Sequence, residues 1–140
     1  MVDLTGDTNE LTCGDRTGCT NAAIQASTAD RPWGANNPTW QPFLYGVVVL
    51  PTARHPHTAF VVVWLGDDGS ETDGDPLTDG GGPGGEGRYI LRARAEAFGV
   101  QGARRAIEAE LARLCQPSAA GGSCLPGIRV QSWRLVGNIP

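Results

Sequence analysis

The chain has 140 residues, 40% of them hydrophobic, which suits one domain with a modest core and argues against both a multidomain enzyme and a disordered tail. It has eleven arginines, no lysine and fifteen acids, and the formal charge of −4 excludes the global basic field of a generic nucleic-acid coat. The longest apolar runs, Phe43 to Leu50 and Ala59 to Leu65, fall far short of the roughly 20 residues a helix needs to span a bilayer.

Met1 to Asp7 has no basic stretch followed by an apolar one, so it does not read as a secretory signal. Residues 1–42 are polar and broken by Gly14, Gly18, Pro32, Gly34, Pro38 and Pro42, and read as an irregular region. One short helix is expected there, Thr20 to Ala29, capped by Thr20 or Asn21. Cys13 and Cys19 lie in this region, and Cys115 and Cys124 near the other end, each pair enclosing a segment with glycine. The spacings miss the tight knuckles of structural zinc, so two local disulfides are the simplest reading. Four cysteines still permit three connectivities. Such bridges imply maturation in a periplasm or outside the cell.

Phe43 to Leu50 and Thr58 to Leu65 are rich in Val and aromatic residues and read as adjacent antiparallel strands. Val47–Val49 and Val61–Val63 are apolar at consecutive positions, which predicts that both faces of these strands are covered. Residues 66–87 hold nine glycines and seven acids and form a long acidic loop. Arg88 to Phe98 reads as a third strand, followed by a turn at Gly99 to Gly102. Ala103 to Leu114 fits two periods: Ile107, Leu111 and Leu114 make a helical stripe, while Arg105, Ile107, Ala109, Leu111 and Arg113 alternate as a strand. Ile128 to Val136 alternates cleanly and closes the sheet. The expected class is α+β: a single domain over 1–140, with a four- to five-stranded antiparallel sheet in 43–136.

The ordered series Ala59-Phe60-Val61-Val62-Val63-Trp64-Leu65-Gly66-Asp67-Asp68, Asp73-Gly74-Asp75-Pro76, Arg94-Ala95-Glu96-Ala97-Phe98-Gly99, Gly102-Ala103-Arg104-Arg105-Ala106-Ile107-Glu108-Ala109 and Ile128-Arg129-Val130-Gln131-Ser132-Trp133-Arg134 resembles the head domain of type IV pilus minor pilins of the PilX type, over roughly 43–136. The resemblance implies a pilin-like head whose antiparallel sheet packs against a long N-terminal helix, and it makes Ala103 to Leu114 a strand. It further implies a non-enzymatic protein of pilus assembly, priming or the tip complex, with other minor and major pilins or a tip adhesin as partners and a link to cell adhesion. Its place would be the periplasmic face of the inner membrane, then the extracellular pilus. Minor pilins begin with about 25 apolar residues that anchor the precursor in the membrane. This sequence shows none, so it reads as a head domain separated from that helix. The segment from Cys115 to Cys124 would form an exposed edge of the subunit.

Glu71, Asp73, Asp75 and Asp79 alternate along the acidic loop, with Asp67 and Asp68 nearby, a pattern that can supply calcium with oxygens. Pro76 and Gly82 depart from the EF-hand pattern, and a solvated loop of mutually repelling charges explains the same residues. A secreted calcium-binding β-domain that recognises a carbohydrate or surface ligand is therefore the rival function. His55 and His57 lack a nucleophile and an orienting group, and Ser118, Ser123 and Ser132 lack an elbow context, so no catalytic constellation is found. Charge is uneven: residues 1–87 hold three arginines against twelve acids, and 88–140 eight against three. The halves should attract one another, and the arginines of the second read as a solvated basic sheet face. Trp64 and Trp133 are expected to pack; Trp33 and Trp40 are equally suited to packing or to contact with a partner.

Overall fold

The computed structural model describes residues 2–28, 39–50, 57–68, 90–116 and 123–136. Two short helices precede five strands. Helix α1 (Leu4–Cys13) starts where the Asp3 carboxylate accepts the Gly6 N–H at 3.0 Å, satisfying a donor that the first turn leaves open. It stops at Gly14, whose left-handed φ of 76° lets its N–H reach the Glu10 carbonyl at 3.0 Å. Helix α2 (Asn21–Thr28) is capped by Thr20, whose hydroxyl accepts the Ala23 N–H at 3.2 Å. The Cys13–Cys19 disulfide joins the end of α1 to the approach to α2.

Strands β1 (Gln41–Leu50), β2 (His57–Asp67), β3 (Ile90–Phe98), β4 (Arg104–Gln116) and β5 (Ser123–Val136) form one antiparallel sheet in sequential order. Between β3 and β4 a single 3-10 turn, Val100–Gly102, reverses the chain, and the Gly99 N–H donates to the Ala103 carbonyl at 2.7 Å. The register sets Phe60 beside Phe98, Val62 beside Glu96 and Trp64 beside Arg94, so these six side chains share one face. On that face helix α1 packs over the Val62–Trp64 end of β2, while Tyr45, Val47 and Val49 of β1 stay exposed. Trp40, Val62 and Trp64 form the core, with Val2, Leu4, Leu11, Phe60 and Phe98 packed around them. Two threonines of α1 fix the helix there: Thr8 accepts the Trp64 indole N–H at 2.8 Å, and Thr12 accepts the Trp40 backbone N–H at 3.2 Å.

The opposite face is built from alternate residues of all five strands and is apolar nearly throughout. Its central row on β3 is Leu91, Ala93, Ala95 and Ala97, flanked by Val61 and Val63 on one side and Ile107 and Leu111 on the other. Beyond these stand Leu44 and Val48 on β1 and Ile128, Val130, Trp133 and Leu135 on β5, all exposed.

Several sequence expectations are corrected. The region 1–42 holds two helices, because Asp3 and Gly14 supply both end caps for a segment that lacks an obvious apolar stripe. The strands at 43–50 and 58–65 are not covered on both faces. Phe43, Leu44, Tyr45, Val47, Val48 and Val49 are all exposed, since β1 is an edge strand among the described residues and α1 packs over Trp40, Val62 and Trp64, short of these side chains. Gly66 and Asp67, read as the start of the acidic loop, extend β2 by pairing with Arg92 and Leu91. The closing strand begins at Ser123, five residues before the expected Ile128, and is bulged near Leu111 and Cys115. Ala103 to Leu114 is a strand, bounded on both sides by hydrogen-bonded neighbours.

Candidate functional site

The β3–β5 part of the helix-covered face carries a ladder of ions. Arg94 is its hub and is almost wholly buried. It donates through Nε and Nη2 to Glu96 and through Nη1 to Glu108 at 2.6 Å. Glu96, with no exposed surface, takes a second arginine, Arg104, on its other oxygen at 2.6 Å. Arg104 also lies over the Phe98 ring at 5.0 Å. Glu108 takes Arg134 of β5 at 2.7 Å. One rung along, Glu110 bridges Arg92 at 2.8 Å and the Ser132 hydroxyl at 2.7 Å. The register explains the set: Arg94, Glu108 and Arg134 stand directly across from one another on three strands, as do Arg92, Glu110 and Ser132.

Burial pushes the Glu108 carboxyl up, but the hydrogen bonds and charges of Arg134 and Arg94 outweigh it and hold the group below the ordinary glutamate range. The three glutamates of the second half are thus each committed to arginines of their own half. The reading of those arginines as a solvated basic face is corrected for Arg94, which is buried because two carboxylates enclose it. A shallow groove of about 280 Å³ follows the ladder between Arg92, Glu108, Glu110, Ser132 and Arg134. Its charged groups are paired across it, Arg92 with Glu110 and Arg134 with Glu108.

The residues singled out for calcium separate into two groups. Asp67 and Asp68 end β2, both buried, with the Asp68 N–H donating to Asp67 Oδ1 at 2.8 Å. Glu71, Asp73, Asp75 and Asp79 lie outside the described residues, and among those described no group of three or more potential metal ligands gathers. His57 opens β2, while His55 and Ser118 lie outside the described residues. Cys13 and Cys19 are bonded as expected. Cys115 and Cys124 are register partners on β4 and β5, which sets their backbones opposite each other. Trp40 and Trp64 are buried, whereas Trp133, expected to pack, is 68% exposed because nothing described lies over the face it occupies. Trp33 is outside the described residues.

The ladder was not foreseen, although its signal was present. Arg92, Arg94 and Glu96 recur at every second position on one strand, and Glu108 and Glu110 do so on the next, so both sets must share a face once the strands pair.

The fold is thus of the α+β class, a five-stranded antiparallel meander preceded by two short helices, the first of them packed on the sheet. The chain matches no family model, no curated protein and no solved structure.

Proposed function

We propose that this chain is the head of a type IV pilus minor pilin of the PilX type, a non-enzymatic subunit that acts in pilus assembly, priming or the tip complex by protein–protein recognition. The observation that carries the reading is the bare apolar face. A sheet face spanning five strands, with an alanine row along β3 and larger residues on both sides, is a trough whose width suits the roughly 10 Å diameter of a helix. Apolar surface of that extent exposed to water calls for a partner element. The long N-terminal helix that the resemblance implies would fill it, leaving the ion ladder and the β-edges to meet neighbouring pilins or a tip adhesin. Cys115 and Cys124 would close a second disulfide, making the β4–β5 connection an exposed rim of the subunit.

No helix of the described residues is long and apolar enough to cross a membrane, so on this reading the anchor belongs to sequence preceding the head. The test is the reading frame upstream of Met1, which should encode about 25 apolar residues after a short leader. A cleavable secretory signal or an unrelated folded domain in that place would overturn the proposal.

A further inference from the structure

The two edges of the sheet are built differently. β5 carries Arg129 and Arg134, together with Pro126 and Gly127, the features by which natural sheets blunt an edge against pairing. β1 carries no charged residue over its ten positions, and its only proline, Pro42, and its register shift at Phe43 both lie at its start, leaving Leu44 to Leu50 regular. From Phe43 to Val49 every large side chain is exposed, Phe43 at 69% and Val47 at 67%. A long, uncharged, apolar edge is a template for another strand.

We propose that β1 is a self-association edge, pairing antiparallel with β1 of a second copy about a two-fold axis at Gly46. The sequence is self-complementary in that register. Tyr45 meets Val47 of the other copy and Leu44 meets Val48, which gives aromatic–β-branched and aliphatic pairs within the regular part of the strand. The absence of charge along β1 means that identical strands meet without repulsion, and the axis falls on the residue with the least bulk. Gly46 faces open space, with nothing within 4 Å of the position a Cβ would take. The product is a continuous ten-stranded sheet in which the bare faces of the two copies run on from each other. A strand pair of this length buries on the order of 1,000 Å² in total, at the lower limit for a specific interface, so a micromolar dimer is expected. This inference does not rest on the pilin reading.

Sedimentation equilibrium on the whole chain from about 1 to 500 μM should show a monomer–dimer equilibrium, and a chain that stays monomeric throughout overturns the proposal. The double variants Tyr45→Lys/Val47→Lys and Tyr45→Glu/Val47→Glu place like charges directly across the axis, and each should weaken its own dimer at least about tenfold while keeping native circular dichroism. Mixing the two should restore a heterodimer, and failure of the mixture to associate overturns the register. Gly46→Cys should form an interchain disulfide under mild oxidation. The control Trp133→Ser/Leu135→Ser alters the bare face alone and should leave the dimer intact; loss of the dimer there assigns association to that face and overturns the role of β1. The reading frame upstream of Met1 bears on none of these outcomes, so the two proposals fail separately.

Discussion

Arg94 shows why the same ion-pair chemistry differs in weight from one position to the next. Its guanidinium is enclosed by Glu96 and Glu108, both buried, so Arg94→Ala leaves two carboxylates each short of a partner inside the sheet. Removing one member of a buried set costs about 3 kcal/mol or more. Arg134 binds the same Glu108 from a side chain that is about half exposed, where a pair contributes less than about 1 kcal/mol. Urea unfolding should therefore separate Arg94→Ala from Arg134→Ala by at least about 2 kcal/mol. Glu108 also predicts a pH effect. Its folded-state carboxyl titrates below its unfolded value, so its contribution is complete above the ordinary glutamate range and is lost as pH falls through the lower, folded value. Thermal melts below about pH 4 should show a fall in stability that Glu108→Gln makes shallower.

At the scale of elements, α1 is held by the Asp3 cap, the Asp7–Arg16 ion pair, the Thr8–Trp64 and Thr12–Trp40 hydrogen bonds and the disulfide. Trp64→Ala removes a fully buried ring along with the Thr8–Trp64 bond and should lower stability by about 3–5 kcal/mol in urea titrations. Cys13→Ser with Cys19→Ser opens a short loop and should cost about 2 kcal/mol by the same measurement. These elements were unequally legible in the sequence. The strands declared themselves through runs of Val and through alternation, and α2 through Thr20. Helix α1 did not, because Leu4 and Leu11 are its main apolar contacts and its other positions, apart from Cys13, are Gly, Thr, Asp, Asn and Glu. The segment Ala103 to Leu114 is ambiguous in isolation because Ile107 and Leu111 satisfy both periods, and only pairing with β3 and β5 decides between them. The ion ladder shows in the sequence only as the alternation of Arg92, Arg94 and Glu96 and of Glu108 and Glu110, and it is strand pairing that brings the two sets together.

Over the whole molecule, the sheet separates two kinds of surface. One face carries α1 over Trp40, Val62 and Trp64 and the ion ladder over β3 to β5, with only its β1 margin apolar and exposed; the other is apolar and open across five strands. Consecutive valines in β1 and β2 were a sound indicator of apolar character on both faces, but they said nothing about whether anything covers them. The open face should bind a hydrophobic dye such as anilinonaphthalene sulfonate in the native state. Trp133→Ser/Leu135→Ser should reduce that fluorescence severalfold and leave the melting temperature within a few degrees, because both side chains are about two-thirds exposed.

The sequential order of the meander also shapes how the molecule is assembled. Each strand pairs with the one made just before it, so the sheet zips through neighbouring hairpins, the kind of topology that forms rapidly. Helix α1 is the exception: it precedes the strands, yet its anchor at Trp64 lies 56 residues beyond Thr8 in the chain. Until β2 is complete, the first twenty residues have no sheet to rest on. The disulfide that closes between Cys13 and Cys19, needing nothing beyond its own neighbourhood, is the element able to preserve the shape of that segment while it waits.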